Sequence, residues 1–146
     1  MKLILFLVAV AFTDAVWAQP GKPVVYYVGN MGVAIVKNDS VILIDALHDY
    51  YDVYYRPTDP AILKKLDARE KPFQRLVAIT ATHMHNDHFD DALISQLSQK
   101  IETKVIMGQQ PAEKLTGVDQ KVLVRVNQAG TVKLSDQLSI TFRNVG

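Results

Sequence analysis

The segment that most constrains this chain covers residues 82–88 and reads Thr-His-Met-His-Asn-Asp-His. It holds three of the chain's four histidines and one carboxylate. Imidazole nitrogen and carboxylate oxygen are the ligands that Zn²⁺ and its first-row neighbours prefer. Residues 76–80 come directly before this segment, and their apolar run predicts a buried strand that could hold the polar loop rigidly. The sequence therefore predicts a metal centre, with candidate ligands His83, His85, Asp87 and His88.

The spacing within this segment predicts which of the ligands bind the same metal ion. His83 and His85 are two residues apart, so in extended backbone they point to the same side and can bind one ion. Asp87 and His88 are not expected to reach that ion in the same geometry, and would bind a second ion or position a water. Two ions about 3.5–4 Å apart can share a hydroxide, and a bound metal lowers the pKa of water to about 7. Asp87 is the candidate catalytic residue, because it could orient that nucleophile or accept its proton.

Composition limits the function classes. The chain has 146 residues, which fits a single domain, and its 16 basic and 15 acidic residues give a formal net charge of +1. This balance, without a basic stripe, predicts no nucleic-acid partner. The absence of cysteine excludes both a disulfide framework and a thiolate metal site.

The first 18 residues have the pattern of a secretory signal peptide. Lys2 supplies a positive start, residues 3–12 are an unbroken apolar run, and Ala18 is a small residue suited to cleavage. A membrane anchor is the alternative, but ten apolar residues fall short of the about 20 that a spanning helix needs. We expect residues 19–146 to form an exported domain, periplasmic or secreted, without a stable membrane anchor.

The remaining pattern predicts an α+β or layered α/β domain. Three short strands joined by tight turns are expected at 24–28, 33–36 and 41–44. Asp59 and the pair Asp90 and Asp91 are expected to cap helices rather than bind metal. Further strands are predicted at 76–80, 104–107 and 121–126, with a short helix at 111–115 and a terminal hairpin at 131–134 and 137–142.

Residues 82–88 resemble the signature of the metallo-β-lactamase-fold hydrolases. Residues 41–45, a strand ending in an aspartate, and the hairpin at 29–35 are similar to the family's opening elements. The resemblance implies a four-layer αββα sandwich, of which this chain would be the N-terminal part. It implies that His83 and His85 bind a first metal, that Asp87 and His88 bind a second, and that Asp45 supports the loop from behind. The implied cofactor is zinc, with two ions in a complete site, although iron or manganese would suit the same ligands.

The resemblance also implies three further ligands downstream of the cluster, yet no histidine follows His88. We therefore interpret the chain as a fragment, with a natural short protein as the alternative. Either way, we expect weak metal binding and little turnover from these residues alone. An incomplete sandwich leaves an apolar sheet face open, so self-association is a further expectation.

Other side chains could line a substrate pocket. His48 follows Asp45 by three residues and could border the mouth of the site, although a surface or turn position is the favoured interpretation. Tyr50, Tyr51 and Tyr54 crowd the next few positions. They could form an aromatic wall over a substrate or simply pack a loop on the sheet, and both interpretations stay open.

Three functions are consistent with these features. The leading hypothesis is an exported metal-dependent hydrolase acting on a small-molecule ester, lactone, amide or phosphoester. A non-catalytic metal-binding or interaction protein is the second, and an iron-dependent oxygenase on the same ligands is the third.

Overall fold

The computed structural model describes residues 21–50, 52–127 and 129–143, so the predicted signal peptide at 1–18 lies outside the described residues. Every strand and helix predicted within these ranges is present, with ends displaced by at most two residues. In chain order the elements are β1 (Val24–Gly29), β2 (Gly32–Lys37), β3 (Ser40–Ile44), α1 (Pro60–Ala68), β4 (Arg75–Ala81), α2 (Asp91–Lys100), β5 (Lys104–Gly108), α3 (Gln109–Lys114), β6 (Leu123–Val126), β7 (Gly130–Ser135) and β8 (Leu138–Phe142).

Six strands form one mixed sheet in the order β1-β2-β3-β4-β5-β6. The first three are antiparallel, and β3 to β6 run parallel. The turn between β2 and β3 places Asn38 at φ 48° and Asp39 at φ 62°. Both residue types tolerate the left-handed region, and a two-residue turn of this kind matches the twist of a hairpin. The parallel half places the ends of β3 and β4 at the same edge of the sheet.

The two faces of the sheet are covered by different layers. One face packs on the helices through a core that includes Leu43, Leu66 and Ile94, all almost fully buried. The opposite face, with Ile42, Ala78 and Ile106 at its centre, packs against the separate β7–β8 hairpin. Strands buried on both faces explain the continuous apolar runs in the sequence. The described layers are therefore helices, sheet and hairpin, the first part of the expected sandwich.

Both predicted helix caps are confirmed. The carboxylate of Asp59 accepts from the amide of Ala61 at 2.8 Å, and that of Asp90 accepts from the amide of Leu93 at 2.7 Å. Asp91 instead accepts from the amide and hydroxyl of Thr116, so it ties the α3–β6 connection to the start of α2. None of the described helices is long and apolar enough to cross a membrane.

Close backbone approach at Gly32 sets where β2 meets the end of β3. A Cβ at this position would lie 2.6 Å from the carbonyl oxygen of Asp45 and 2.7 Å from the Cα of Ala46. Both neighbours are backbone atoms and cannot rotate away. We predict that Gly32→Ala lowers the free energy of unfolding by about 1–3 kcal/mol, measured by urea denaturation.

Gly108→Ala is the matched control, because its Cβ would meet nothing closer than a side-chain carbon of Pro111 at 3.9 Å. Equal losses in the two variants would show that the contact at Gly32 does not constrain the fold.

Candidate metal centre

Two parallel strands bring the candidate site together. β3 and β4 are neighbours in the sheet, and the amide of Asp45 donates to the carbonyl of Thr80 at 3.0 Å just past the end of β3. Residues 82–88 leave the sheet at the end of β4. Because parallel strands end at the same edge, Asp45 and the histidine loop become neighbours despite their separation in the sequence.

The carboxylate of Asp45 holds the start of the loop. Its Oδ1 accepts from the amide of Thr82 at 2.7 Å, and its Oδ2 accepts from the Thr82 hydroxyl at 2.9 Å. The same Oδ2 lies 3.1 Å from Nδ1 of His88. Asp45 is 6% exposed and its backbone is left-handed at φ 50°. The structure thus places Asp45 behind the loop, where the family resemblance had put it.

His83, His85 and Asp87 form one ligand group. One ligand atom from each lies within 4.8 Å of the other two. Ligand atoms around a tetrahedral ion with bonds of about 2.0–2.2 Å lie about 3.3–3.6 Å apart, so the three need approach one another by about 1.5 Å at most. Rotation of half-exposed side chains can supply a movement of this size. Two imidazoles and a carboxylate are a donor set that suits zinc, and the group therefore fits a divalent metal.

The grouping differs from the predicted division into two pairs. Asp87 was expected to be out of reach of an ion on His83 and His85, yet it lies within their group. The chain turns sharply here, with the amide of His88 donating to the carbonyl of His85 at 2.9 Å. That turn brings the carboxylate back toward the two imidazoles, which the extended-backbone argument could not anticipate.

His88 lies between two carboxylates rather than in the three-residue group. Its Nδ1 faces Asp45, and its Nε2 is 3.4 Å from Oδ2 of Asp87. Its ring centroid is also 3.9 Å from that of His83. His88 therefore connects the anchor behind the loop with the ligand group in front of it.

Two polar groups at the site received no role from the sequence. Thr82 is the donor that Asp45 binds, and Asn30 in the β1–β2 turn donates its Nδ2 hydrogen to the carbonyl of Asp87 at 3.2 Å. The close glycines at Gly29 and Gly32 signalled a tight turn here, but nothing in the sequence signalled its contact with residue 87.

The favoured interpretation of His48 as a surface or turn residue is wrong. His48 is 1% exposed, and neither ring nitrogen has a hydrogen-bond partner among the described residues. The hydroxyl of Thr58 accepts from the His48 amide at 3.0 Å, and the Thr58 amide donates to the His48 carbonyl at 3.0 Å. These two hydrogen bonds join the backbone of His48 to Thr58. His48 does not join the ligand group, and it does not line the cavity beside the loop.

The predicted tyrosines separate from one another. Tyr50 lines a cavity of about 300 Å³ beside the loop, together with Met84, Asn86 and Phe89. Tyr54 is 87% exposed and does not line this cavity. Tyr51 lies outside the described residues. Within the described part of the chain, Tyr50 is thus the tyrosine placed to contact a molecule beside the loop.

We predict graded costs for breaking the Asp45 anchor. Asp45→Asn keeps a residue that tolerates a positive φ but turns one acceptor into a donor, so it should cost about 1.5–3 kcal/mol of stability. Thr82→Val removes only the hydroxyl contact and should cost about 0.5–1.5 kcal/mol. Urea denaturation of both variants tests the order, and a smaller loss for Asp45→Asn than for Thr82→Val would contradict the anchor.

No family model and no curated protein match the chain. Solved structures do match it. The metallo-β-lactamase SMB-1, in a complex with mercaptoacetic acid, has a TM-score of 0.55 at 19% identity over 87% of this chain and 54% of its own. The HARLDQ motif mutant of a metallo-β-lactamase from Cronobacter sakazakii has a TM-score of 0.50 at 21% identity over 82% and 48%. The chain spans about half the length of these structures, and over that span it has the metallo-β-lactamase fold.

Proposed function

We propose that this chain is the metal-binding part of an exported hydrolase that attacks an ester, lactone, amide or phosphoester bond of a small molecule. The observation that carries the proposal is the convergence of His83, His85 and Asp87 within 4.8 Å at the end of β4. The fold supports it, because the solved structures that the chain matches are metallo-β-lactamases.

Zinc is the proposed metal, held by His83, His85 and Asp87. When bound, a metal of this kind supplies a water of lowered pKa and polarises the bond under attack. Asp87 is the residue proposed to orient that water or take its proton, since it belongs to the ligand group and its Oδ2 lies 3.4 Å from Nε2 of His88. A second ion on Asp87 and His88 belongs to the same proposal, and it requires the ring of His88 to give up its contact with one of its two carboxylates.

The remaining residues at the site hold the ligand loop in place or line the cavity beside it. Asp45 holds Thr82 and His88, while Asn30 holds the carbonyl of Asp87, so both ends of the loop are tied to the sheet. The cavity beside the ligand loop has a mixed lining, in which Tyr50, Met84 and Phe89 supply apolar and aromatic surface and the other residues are polar or charged. We propose it as the place where the substrate body lies.

Metal binding without catalysis is a second candidate function. It is favoured by the fact that all three grouped ligands come from one five-residue stretch, and that His48 is buried away from them. Catalytic zinc sites commonly use three protein ligands and one open position, so the group also satisfies the minimum for catalysis. An iron-dependent oxygenase would use the same donors and is separated by the metal's identity.

We also propose that the chain is exported and that it self-associates. Export rests on the pattern of residues 1–18, and the near-neutral charge supports a small-molecule substrate rather than a nucleic acid. Self-association is supported by the edge strand β1, where Val24, Val25 and Tyr27 are 45%, 61% and 59% exposed. An apolar sheet edge of this kind is a common site of strand pairing between chains.

Zinc titration of the full chain tests the ligand assignment. Removing a hydrogen-bond partner of a metal ligand lowers metal affinity roughly 10–100-fold. Because His85→Ala removes a ligand itself, we expect it to lower zinc affinity by more than this. Asn86→Ala is the matched control in the same loop and should leave affinity within about twofold, because Asn86 is not in the ligand group. Competition with a chromophoric chelator measures both, and equal affinities in the two variants would contradict the site.

Hydrolysis separates the candidate functions. The metal-loaded chain should hydrolyse a p-nitrophenyl ester, a lactone, an anilide or a phosphodiester slowly, and chelation or His83→Ala should abolish the reaction. Zinc binding without turnover on any of these substrates would favour the non-catalytic function. Oxygen consumption by the iron-loaded chain alone would favour the oxygenase.

A further inference from the structure

A second cavity lies at the opposite edge of the sheet from the metal loop. It has a volume of about 680 Å³ and is bordered by the first residue of β4, Arg75, by Lys104 at the start of β5, and by Lys121 just before β6. The histidine loop follows the other end of β4. Seven residues of extended strand separate the two edges by about 20 Å, so this cavity is distinct from the metal centre.

Positive charge dominates the walls of this cavity. Arg69, Arg75, Lys104 and Lys121 line it, against the single carboxylate of Glu102. Four cations and one anion leave an excess of three positive charges. The chain as a whole has a net charge of only +1, so the concentration of charge is local.

The hydrogen bonds of these cations do not neutralise them. Arg75 contacts the hydroxyl of Ser40, Lys104 donates to the carbonyl of Lys133 at 2.8 Å, and Arg69 donates to the carbonyl of Lys100 at 3.4 Å. All three acceptors are uncharged. Among the described residues, none of the four cations is in an ion pair. The cavity therefore keeps its positive potential and would attract an anion.

A buried hydroxyl points to a ligand independently of the charge. Thr103 lines the same cavity and is 4% exposed, and its Oγ1 has no hydrogen-bond partner among the described residues. A buried hydroxyl without a partner costs roughly 1–3 kcal/mol, so such groups normally meet a water, an ion or a ligand. Oγ1 itself is fully buried, so rotation of the Thr103 side chain is needed to turn its hydroxyl toward an anionic oxygen in the cavity.

Part of the remaining wall is apolar, beside the polar side chain of Gln74. Leu76, Val77, Val122 and Leu134 line it, the last of these from the β7–β8 hairpin. Guanidinium and ammonium groups bind phosphate oxygens well, and arginine does so with two parallel hydrogen bonds. The volume also lies within the range of about 300–1,000 Å³ for small-molecule sites. We propose that this cavity binds a small organic phosphate, with the phosphate on the cations and Thr103 and the organic body on the apolar wall.

Ligand-dependent thermal stability of the full chain tests this site. We expect phenyl phosphate to raise the melting temperature saturably, inorganic phosphate to do so more weakly, and benzoate to act less than either. The shift should persist with EDTA present, which excludes binding through a metal. Equal effects of phenyl phosphate and inorganic phosphate would contradict the claim that the apolar wall binds the organic body. Stronger binding of benzoate would contradict the claim that the cavity prefers a phosphate group.

Substitutions place the binding in the cavity. Thr103→Val is close to isosteric and should leave the ligand-free protein at least as stable, yet it should weaken phenyl phosphate binding about tenfold. Lys121→Gln should weaken it by a similar factor, whereas Lys65→Gln, an exposed lysine on α1 that does not line the cavity, should not change it. No saturable shift, or equal shifts in all three variants, would show only a general salt effect and overturn the proposal.

Discussion

The contact on which the candidate site depends is that between the Asp45 carboxylate and Thr82. It joins the end of β3 to the first residue beyond β4, so the loop starts from a fixed point on the sheet. A buried carboxylate needs such donors, because an unpaired charge inside a protein is strongly unfavourable. The same carboxylate reaches His88, and the anchor therefore acts at both ends of the histidine segment.

Most of the fold could be predicted because its signals are local. Asp59 and Asp90 stand where helices begin, and the Asn38–Asp39 pair stands where a hairpin turns. The layers of the fold were harder to predict from the sequence, since they depend on which face of the sheet packs against the helices and which against the hairpin. Ile42 and Ile106 look like any other buried strand residues in the sequence, and only packing shows that they meet the β7–β8 hairpin rather than the helices.

Three of the four predicted ligands lie in one group, but their arrangement could not be predicted from the sequence. The donor types of His83, His85 and Asp87 identified them, since few other roles require two imidazoles and a carboxylate so close together. The turn that returns Asp87 toward the histidines depends on hydrogen bonds from the His88 amide and the Asn30 side chain, which no spacing rule contains. His48 failed for a related reason, because its amide donates to Thr58, ten residues away, and no local pattern contains that contact.

Ligands that are distant in the sequence lose chain entropy when a metal brings them together. The ligands of this site come from one short loop and are already neighbours, so little chain entropy is lost here. The affinity of the site depends instead on how well the loop is held in the binding conformation before the metal arrives. Asp45 and Asn30 hold the two ends, whereas His85 between them is exposed. Metal binding should therefore respond to changes in the anchors, although neither Asp45 nor Asn30 belongs to the three-residue ligand group.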